Sequence, residues 1–230
     1  MNAPLTTEPL FMLGPVAISA PVVVTWALMA LLVLGSILAT RRLSMKPSTL
    51  QAALEMVVET IDGQMRDIME AEPDPYRAFV GTLFVFILFA NWSSLVPGVE
   101  PPTAHLETDA ALAFLVFCAV IVFGIRANGV LGYLRSFAAP TFLMIPLNLV
   151  ETITRSLSLL VRLFGNVMSG VFIVGIVLSL AGLFVPIPLM ALDLLTGAVQ
   201  AYIFAVLAAV FIAGTVSEGR PHAASSSEKS

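Results

Sequence analysis

Glu151, Arg155, Ser158 and Arg162 follow one another at spacings of four, three and four residues inside a long apolar stretch, Phe142 to Leu183. At about 100° per residue they fall on one narrow helix face, and Asn148, Asn166 and Ser169 continue the stripe. A charge near a bilayer centre costs at least about 2.5–3.5 kcal/mol, so such residues need a reason to be there. Glu151 and Arg155 can pair at i,i+4, and an ion pair near the helix start accounts for them as well as a channel role does. Arg162 has no acid one turn away and lies too far from either flank to snorkel. Its guanidinium keeps its charge at any relevant pH, so it is a fixed cation rather than a proton carrier.

A second apolar stretch, Leu189 to Val216, carries Asp193, Thr196, Gly197 and Gln200 at helical spacing. A turn between about Leu180 and Pro188 makes the two stretches an antiparallel hairpin. That pairing brings Gln200 near the level of Arg162, with Asp193 nearer Ser169. A fixed cation in mid-span and an ionisable carboxylate two turns away fit an ion pathway better than a lipid-facing surface. The plainer reading of Asp193 is a residue at headgroup level near a helix start. Gly165, Gly170 and Gly175 recur at fivefold spacing, which is only a weak sign of close helix approach.

The elements that must position these groups are membrane helices. Hydrophobic residues make up 58% of the 230-residue chain and charged residues 11%, where a soluble domain carries about 25% charged. The mean hydropathy is +0.97. Apolar stretches at Ala20–Thr40, Ala78–Val96 and Ala110–Ile125 precede the two already described, giving five membrane-associated helices. Leu50, Leu54, Val57, Val58, Ile61, Met65 and Ile68 alternate with Glu55, Glu59, Asp62, Arg66 and Asp67 at helical spacing between Ser48 and Tyr76. That is an amphipathic helix, lying at the interface or packed on a partner helix. The run Glu72–Pro75 ends it. Residues 20–216 thus form a single all-α membrane domain, between an outer N-terminal segment (1–19) and a polar, serine-rich tail (217–230).

Arg41, Arg42 and Lys46 follow the first stretch, and Arg126 and Arg135 follow the third. By the positive-inside rule the N-terminus is outside and the C-terminus cytoplasmic. Met1 to Ser19 holds no Lys or Arg, so it lacks the basic region of a signal peptide. The segment from Pro97 to Glu107 reads as a proline-rich outer turn. A net charge of −4 leaves no basic footprint for nucleic acid. No phosphate-binding GxxxxGK[ST] loop is present, so no ATP site of that kind and no cofactor is expected. No His, Cys and carboxylate set has metal spacing. His105 and His222 read as solvated, Cys118 as packing, and Asn91–Trp92–Ser93 as a helix end with Trp92 near the interface.

Four motifs carry a resemblance. SLLVRLFGNVMSG (Ser158 to Gly170), VQAYIF (Val199 to Phe204), GTLFVFILFANW (from Gly81) and PGVEPPTA (from Pro97) resemble subunit a of F-type ATP synthases, in the same order. The match covers about Ala20 to Glu218. The resemblance implies the stator half of the membrane motor: a tilted hairpin against a rotating ring of c subunits, braced by b-type stalk subunits and acting indirectly on the F1 sector. Arg162 then matches the essential arginine, Gln200 its polar partner and Asn166 the asparagine one turn along. Asp193 takes the position where members carry His, Glu or Asp in the outer half-channel. Asn148, Glu151, Arg155, Ser158, Ser169 and Thr196 become channel-lining candidates. The chain departs from many members at Val171, often acidic or histidine, and at Asn148, often Glu. It would act in a bacterial inner membrane, with no catalysis of its own.

The ion is not decided by these residues, since Asp193, Thr196, Ser169 and Gln200 could pass protons through water or a hydrated sodium ion. The proton, commoner in the family, is the expectation, with a sodium-translocating enzyme as the alternative. A secondary transporter would show related halves, and none is visible. A mere membrane anchor would not need Arg162, Asp193 and Gln200 inside the bilayer.

Overall fold

Hydrocarbon offers no hydrogen bonds to the backbone, so each long apolar stretch must close its own within a helix. The structure is a computed structural model that describes residues 9–13, 16–41, 49–69, 74–96, 99–137, 144–181 and 185–217. A short antiparallel ribbon, β1 (Pro9–Leu13) and β2 (Val16–Ser19), leads into helix α1 (Ala20–Thr40). This ribbon lies in the segment expected only as an outer tail. The amphipathic α2 (Thr49–Met69) and the apolar α3 (Asp74–Trp92) follow. Short 3-10 turns at Ser93–Leu95 and Pro102–Ala104 lead to α4 (Leu106–Phe137), and α5 (Met144–Ala181) and α6 (Pro186–Ser217) complete the chain. Among the described residues five helices are long and apolar enough to cross a membrane, which makes this a multi-pass membrane protein, all-helical after the N-terminal ribbon. The C-terminal tail beyond Ser217, His222, and the basic residues Arg42 and Lys46 lie outside the described residues.

Lengths explain the shape of the last two helices. At 1.5 Å per residue the 21 residues of α1 cover about 31 Å, one bilayer core. The 38 residues of α5 would cover about 57 Å, so α5 must tilt or project. Helix α4 is longer than the span read from hydropathy, because it begins at Leu106 and continues past Ile125. It kinks at Gly129, whose φ of 72° and ψ of 163° only glycine adopts without strain.

Helix α6 is the centre of the packing. Ala201, Phe204, Ala208, Ala209 and Ile212 are buried against Leu83 and Ile87 of α3, Leu112, Val116 and Val120 of α4, and Leu159 and Leu163 of α5. Small residues let the neighbours approach closely, as membrane helices require. The amphipathic α2 lies on α3 and α6 through Ile61, Met65 and Ile68. Polar links fix it there: Arg77 Nε is 2.5 Å from Asp62 Oδ1, and Tyr202 Oη donates to Gln64 Oε1 at 2.7 Å. Of the two placements open for this helix, packing on partner helices is therefore observed.

Three pairs of contacts set the vertical register. Arg155 lies over the Phe211 ring, and Gly170 lies against Asp193, so α5 and α6 are antiparallel. Asn91 at the end of α3 donates to the Gly197 carbonyl at 2.8 Å and accepts from Thr103 Oγ1 at 2.7 Å. Gly124 packs against Thr215, and Asn128 Nδ2 donates to the Thr215 carbonyl at 2.8 Å; with Thr103, just before α4, held near Gly197 through Asn91, α4 runs parallel to α6. Thr103 is completely buried, so the α3–α4 loop dips to the level of Gly197, and the α5–α6 hairpin projects beyond it.

Replacing Asn91 tests this clamp, because leucine keeps the bulk and strands the Thr103 hydroxyl and the Gly197 carbonyl. Asn91→Leu is expected to lower the stability of the solubilised protein by about 1–3 kcal/mol. The check is a denaturant titration in mixed micelles against the parent chain. An unchanged midpoint would show that the clamp contributes nothing.

Candidate functional site

The polar stripe of α5 lies on the outside of the fold. Glu151, Arg155, Ser158, Arg162 and Ser169 are all exposed, while Asn148 and Asn166 are half-buried. The stripe runs among exposed apolar residues, including Val150, Ile153, Leu157, Val161, Phe172 and Ile176. Only 11% of the most apolar window of α5 is buried, against 44% for α6. Glu151 and Arg155 form the expected i,i+4 ion pair, and Arg155 also stacks on Phe211, with Cζ 5.3 Å from the ring centroid. Among the described residues Arg162 has no acidic partner. A permanent cation therefore sits on a bare apolar surface.

The hairpin brings Asp193 to Ser169 and Asn166, as the turn position implied. A cavity of about 180 Å³ between α5 and α6 is lined by Asn166, Ser169, Gly170, Asp193 and Thr196, with apolar Ile173, Val174, Leu189 and Leu192. A second cavity, also about 180 Å³, lies between the hairpin and the dipping loop. It is lined by Ser94, Leu95, Val99, Glu100 and Pro101 on one side, and by Val171, Val174, Gly175, Met190 and Asp193 on the other. Asp193 belongs to both, so its carboxylate is the group the two spaces share. Ser94 lines the second cavity together with that carboxylate. The hydroxyls of Ser169 and Thr196 donate to the carbonyls of Asn166 and Asp193, at 2.9 and 3.0 Å, leaving their oxygens able to accept.

Gly170 is what lets the helices close here. A Cβ on it would collide with the Asp193 carboxyl group, 2.9 Å from Cγ. From that contact, eight residues back along α5 and eight onward along α6 reach Arg162 and Ala201. With the Arg155–Phe211 contact taken in as well, Gln200 is within about one turn of the level of Arg162, but the two are not paired: Arg162 is exposed and Gln200 buried. Gln200 Nε2 is buried without a hydrogen-bond partner among the described residues.

One residue differs from its reading in the sequence, and two have a place that this reading did not show. His105 is not solvated: its side chain is 11% exposed, and Nε2 lies 3.4 Å from Glu100 Oε2. Asn91 lies at the end of α3, as read, and is also the centre of the buried clamp. Asp109, unremarked in the sequence, is completely buried in the first turn of α4, and neither carboxylate oxygen has a partner among the described residues. A signal for Asp109 existed: residues 110–125 number sixteen, short for the roughly twenty of a span, and one more turn takes it in.

These features define a class: a multi-pass membrane protein whose tilted hairpin shows a fixed cation on one face and holds an acidic cavity beside it. The family profile described as ATP synthase A chain matches residues 22–213. ATP synthase subunit a 2 of Bradyrhizobium sp. is 54% identical over 215 residues, covering 94% of this chain and 96% of that one. ATP synthase subunit a of Albidiferax ferrireducens is 48% identical over 210 residues, 90% of this chain and 91% of that one. The corresponding subunit a 2 of Picosynechococcus sp. is 48% identical over 200 residues, 86% of each chain. The chain belongs to the ATP synthase subunit a family, and so to a complex with other subunits.

The contact at Gly170 generates a test. Gly170→Ala must displace Asp193, so ATP-driven ion pumping by the whole complex is expected to fall. In the double variant with Asp193→Asn the loss should be no deeper than in Asp193→Asn alone, because both changes act on one carboxylate. Additive losses would mean that Gly170 matters for another reason.

Proposed function

We propose that this chain is the stator of a rotary motor, supplying two ion half-channels and the arginine that separates them. The observation that carries the reading is Arg162: a permanent charge, exposed and without an acidic partner among the described residues, on a helix face flanked by exposed apolar residues. Lipid cannot cover that face at acceptable cost, but a protein surface bearing a carboxylate can. The partner proposed is a ring of small hairpin subunits, each with one ion-binding acid at mid-membrane depth, with b-type subunits bracing the stator and the F1 sector coupled through them.

The mechanism follows from charge. A ring carboxylate turning through lipid must be neutral, hence loaded with its ion. Opposite Arg162 the ionised carboxylate is stabilised, so the ion leaves there and cannot pass straight across. The hairpin-tip side is proposed as the outside. Its two cavities then form the outer half-channel, with Asp193 as the group that exchanges the ion and Asn166, Ser169 and Thr196 as neutral oxygens along the way. The inner half-channel opens past Ser158 and the Glu151–Arg155 pair, near Asn148. Gln200 stiffens the polar level behind Arg162. One charge crossing 100 mV releases about 2.3 kcal/mol, which turns the ring stepwise. The setting proposed is a bacterial inner membrane, N-terminus outside and C-terminus inside, with nucleotide chemistry left to the F1 sector.

Arg162→Ala is expected to abolish coupled ATP synthesis and ATP-driven pumping while the complex still assembles. Arg162→Lys should be severely impaired as well, since a buried ammonium can lose its proton. Near-normal pumping in Arg162→Ala would remove the gate role. Transport of a solute by the chain reconstituted alone would make it a carrier instead.

The ion proposed is the proton. ATP hydrolysis by the intact complex, at fixed pH and ionic strength, should not respond to sodium. Specific sodium activation, with sodium protection of the ring carboxylate from carbodiimide, would replace the proton by sodium.

A further inference from the structure

Asp109 is 0% exposed, and both of its carboxylate oxygens lack a hydrogen-bond partner among the described residues. An isolated ionised carboxylate cannot be kept in such surroundings without large cost, so the group must hold a proton or be compensated by charge. Its position is set by the α4–α6 contact. From Gly124 against Thr215, fifteen residues along each parallel helix toward the hairpin side reach Asp109 and Gln200. Two buried polar groups with unused hydrogen-bonding capacity, an acid and an amide, thus occupy one level of the core. The α5–α6 register puts Arg162 within about one turn of that level, on the outer face of α5.

We propose that Asp109 is a second proton-exchanging carboxyl of this subunit, held as the neutral acid in the core behind Arg162 with Gln200 beside it. The inference rests on the stator reading for its role in transport, but not for its protonation. The exchange is a simple one: the carboxyl O–H gives up its proton to the pathway, leaving a carboxylate, and a proton from the hairpin-side cavity restores the acid. The loop that lines that cavity with Glu100 and Pro101 leads directly to Asp109 through the buried Thr103. Few other charges bear on the site. The loop contributes His105, already paired with Glu100; α5 contributes Arg162; α6 contributes Asp193, about two turns further toward the tip. Helix α3 presents only apolar residues and Asn91 in the packed segment from Val80 to Asn91, apart from Thr82, whose hydroxyl bonds back to the Ala78 carbonyl.

The test uses the purified whole ATP synthase. Asp109→Asn keeps the shape and neutrality of the acid but cannot carry a proton, and Asp109→Glu restores the carboxyl if the first variant assembles poorly. The infrared difference spectrum between parent and Asp109→Asn at neutral pH should contain the carbonyl stretch of one protonated carboxyl. ATP-driven proton uptake in assembled Asp109→Asn complexes should fall by about tenfold to a hundredfold, the scale of a lost proton-transfer group, with partial recovery in Asp109→Glu. Absence of the protonated band overturns the proposal, and so does the band with undiminished pumping, which would make Asp109 a packing acid. Arg162→Ala measured in parallel separates the two readings. Normal pumping there removes the stator role, while the infrared result on Asp109 stands independently.

Discussion

A guanidinium cannot be left in hydrocarbon, and most of this structure can be read as a consequence of putting one there. Arg162 is charged at every relevant pH and has no acid on its own helix within reach. Burying it in the bundle would have required an acid beside it, and among the described residues the one fully buried acid of that core, Asp109 of α4, makes no ion pair with it. The fold turns the arginine outward and leaves α5 thinly covered. The same logic separates Arg155, which already has both Glu151 and the Phe211 ring. The pair looks similar in sequence, but one cation is satisfied within the chain and the other is not.

The five spans, the amphipathic helix and the hairpin register were legible because hydropathy and helical periodicity are local signals. Placing the turn between about Leu180 and Pro188 was enough to put Asp193 near Ser169, since two antiparallel helices of equal rise fix each other's levels from the turn outward. What remained hidden was depth in the α3–α4 loop. Prolines, Glu100 and His105 make that segment read as a solvent turn, yet Pro101, Pro102 and Thr103 are buried. Their burial comes from the hairpin projecting past them and from α1 lying alongside, both tertiary effects without a trace in local composition. His105 was misread for the same reason, whereas Asp109 was passed over although the shortness of the span at 110–125 pointed to it.

Asn91 shows how polar residues hold such a loop at depth. One amide reaches both the Gly197 carbonyl and the Thr103 hydroxyl, so a helix end, a loop and the central helix share one hydrogen-bonded centre. In an apolar medium each of these bonds lacks water as a competitor, and an unpaired group would be costly. A small number of polar side chains can therefore fix the geometry where apolar packing alone would let helices slide. The intrahelical hydroxyl bonds of Thr25, Thr82, Thr152 and Ser156 carry no such information; they only make those residues tolerable to lipid.

The contrast between α5 and α6 follows from these constraints. Helix α6 is lined with alanines and glycine where others cross it, so it can be surrounded, and it carries Gln200 into the core. Helix α5 presents Ser158, Gly165 and Ser169 along the same outer line as Arg162, small residues that would let a neighbouring helix come close to the arginine. A surface meant only for lipid would gain from larger apolar groups at those three positions. Their smallness beside a fixed charge is what an approaching and departing partner needs: close contact without a deep interlock that would hold it in place.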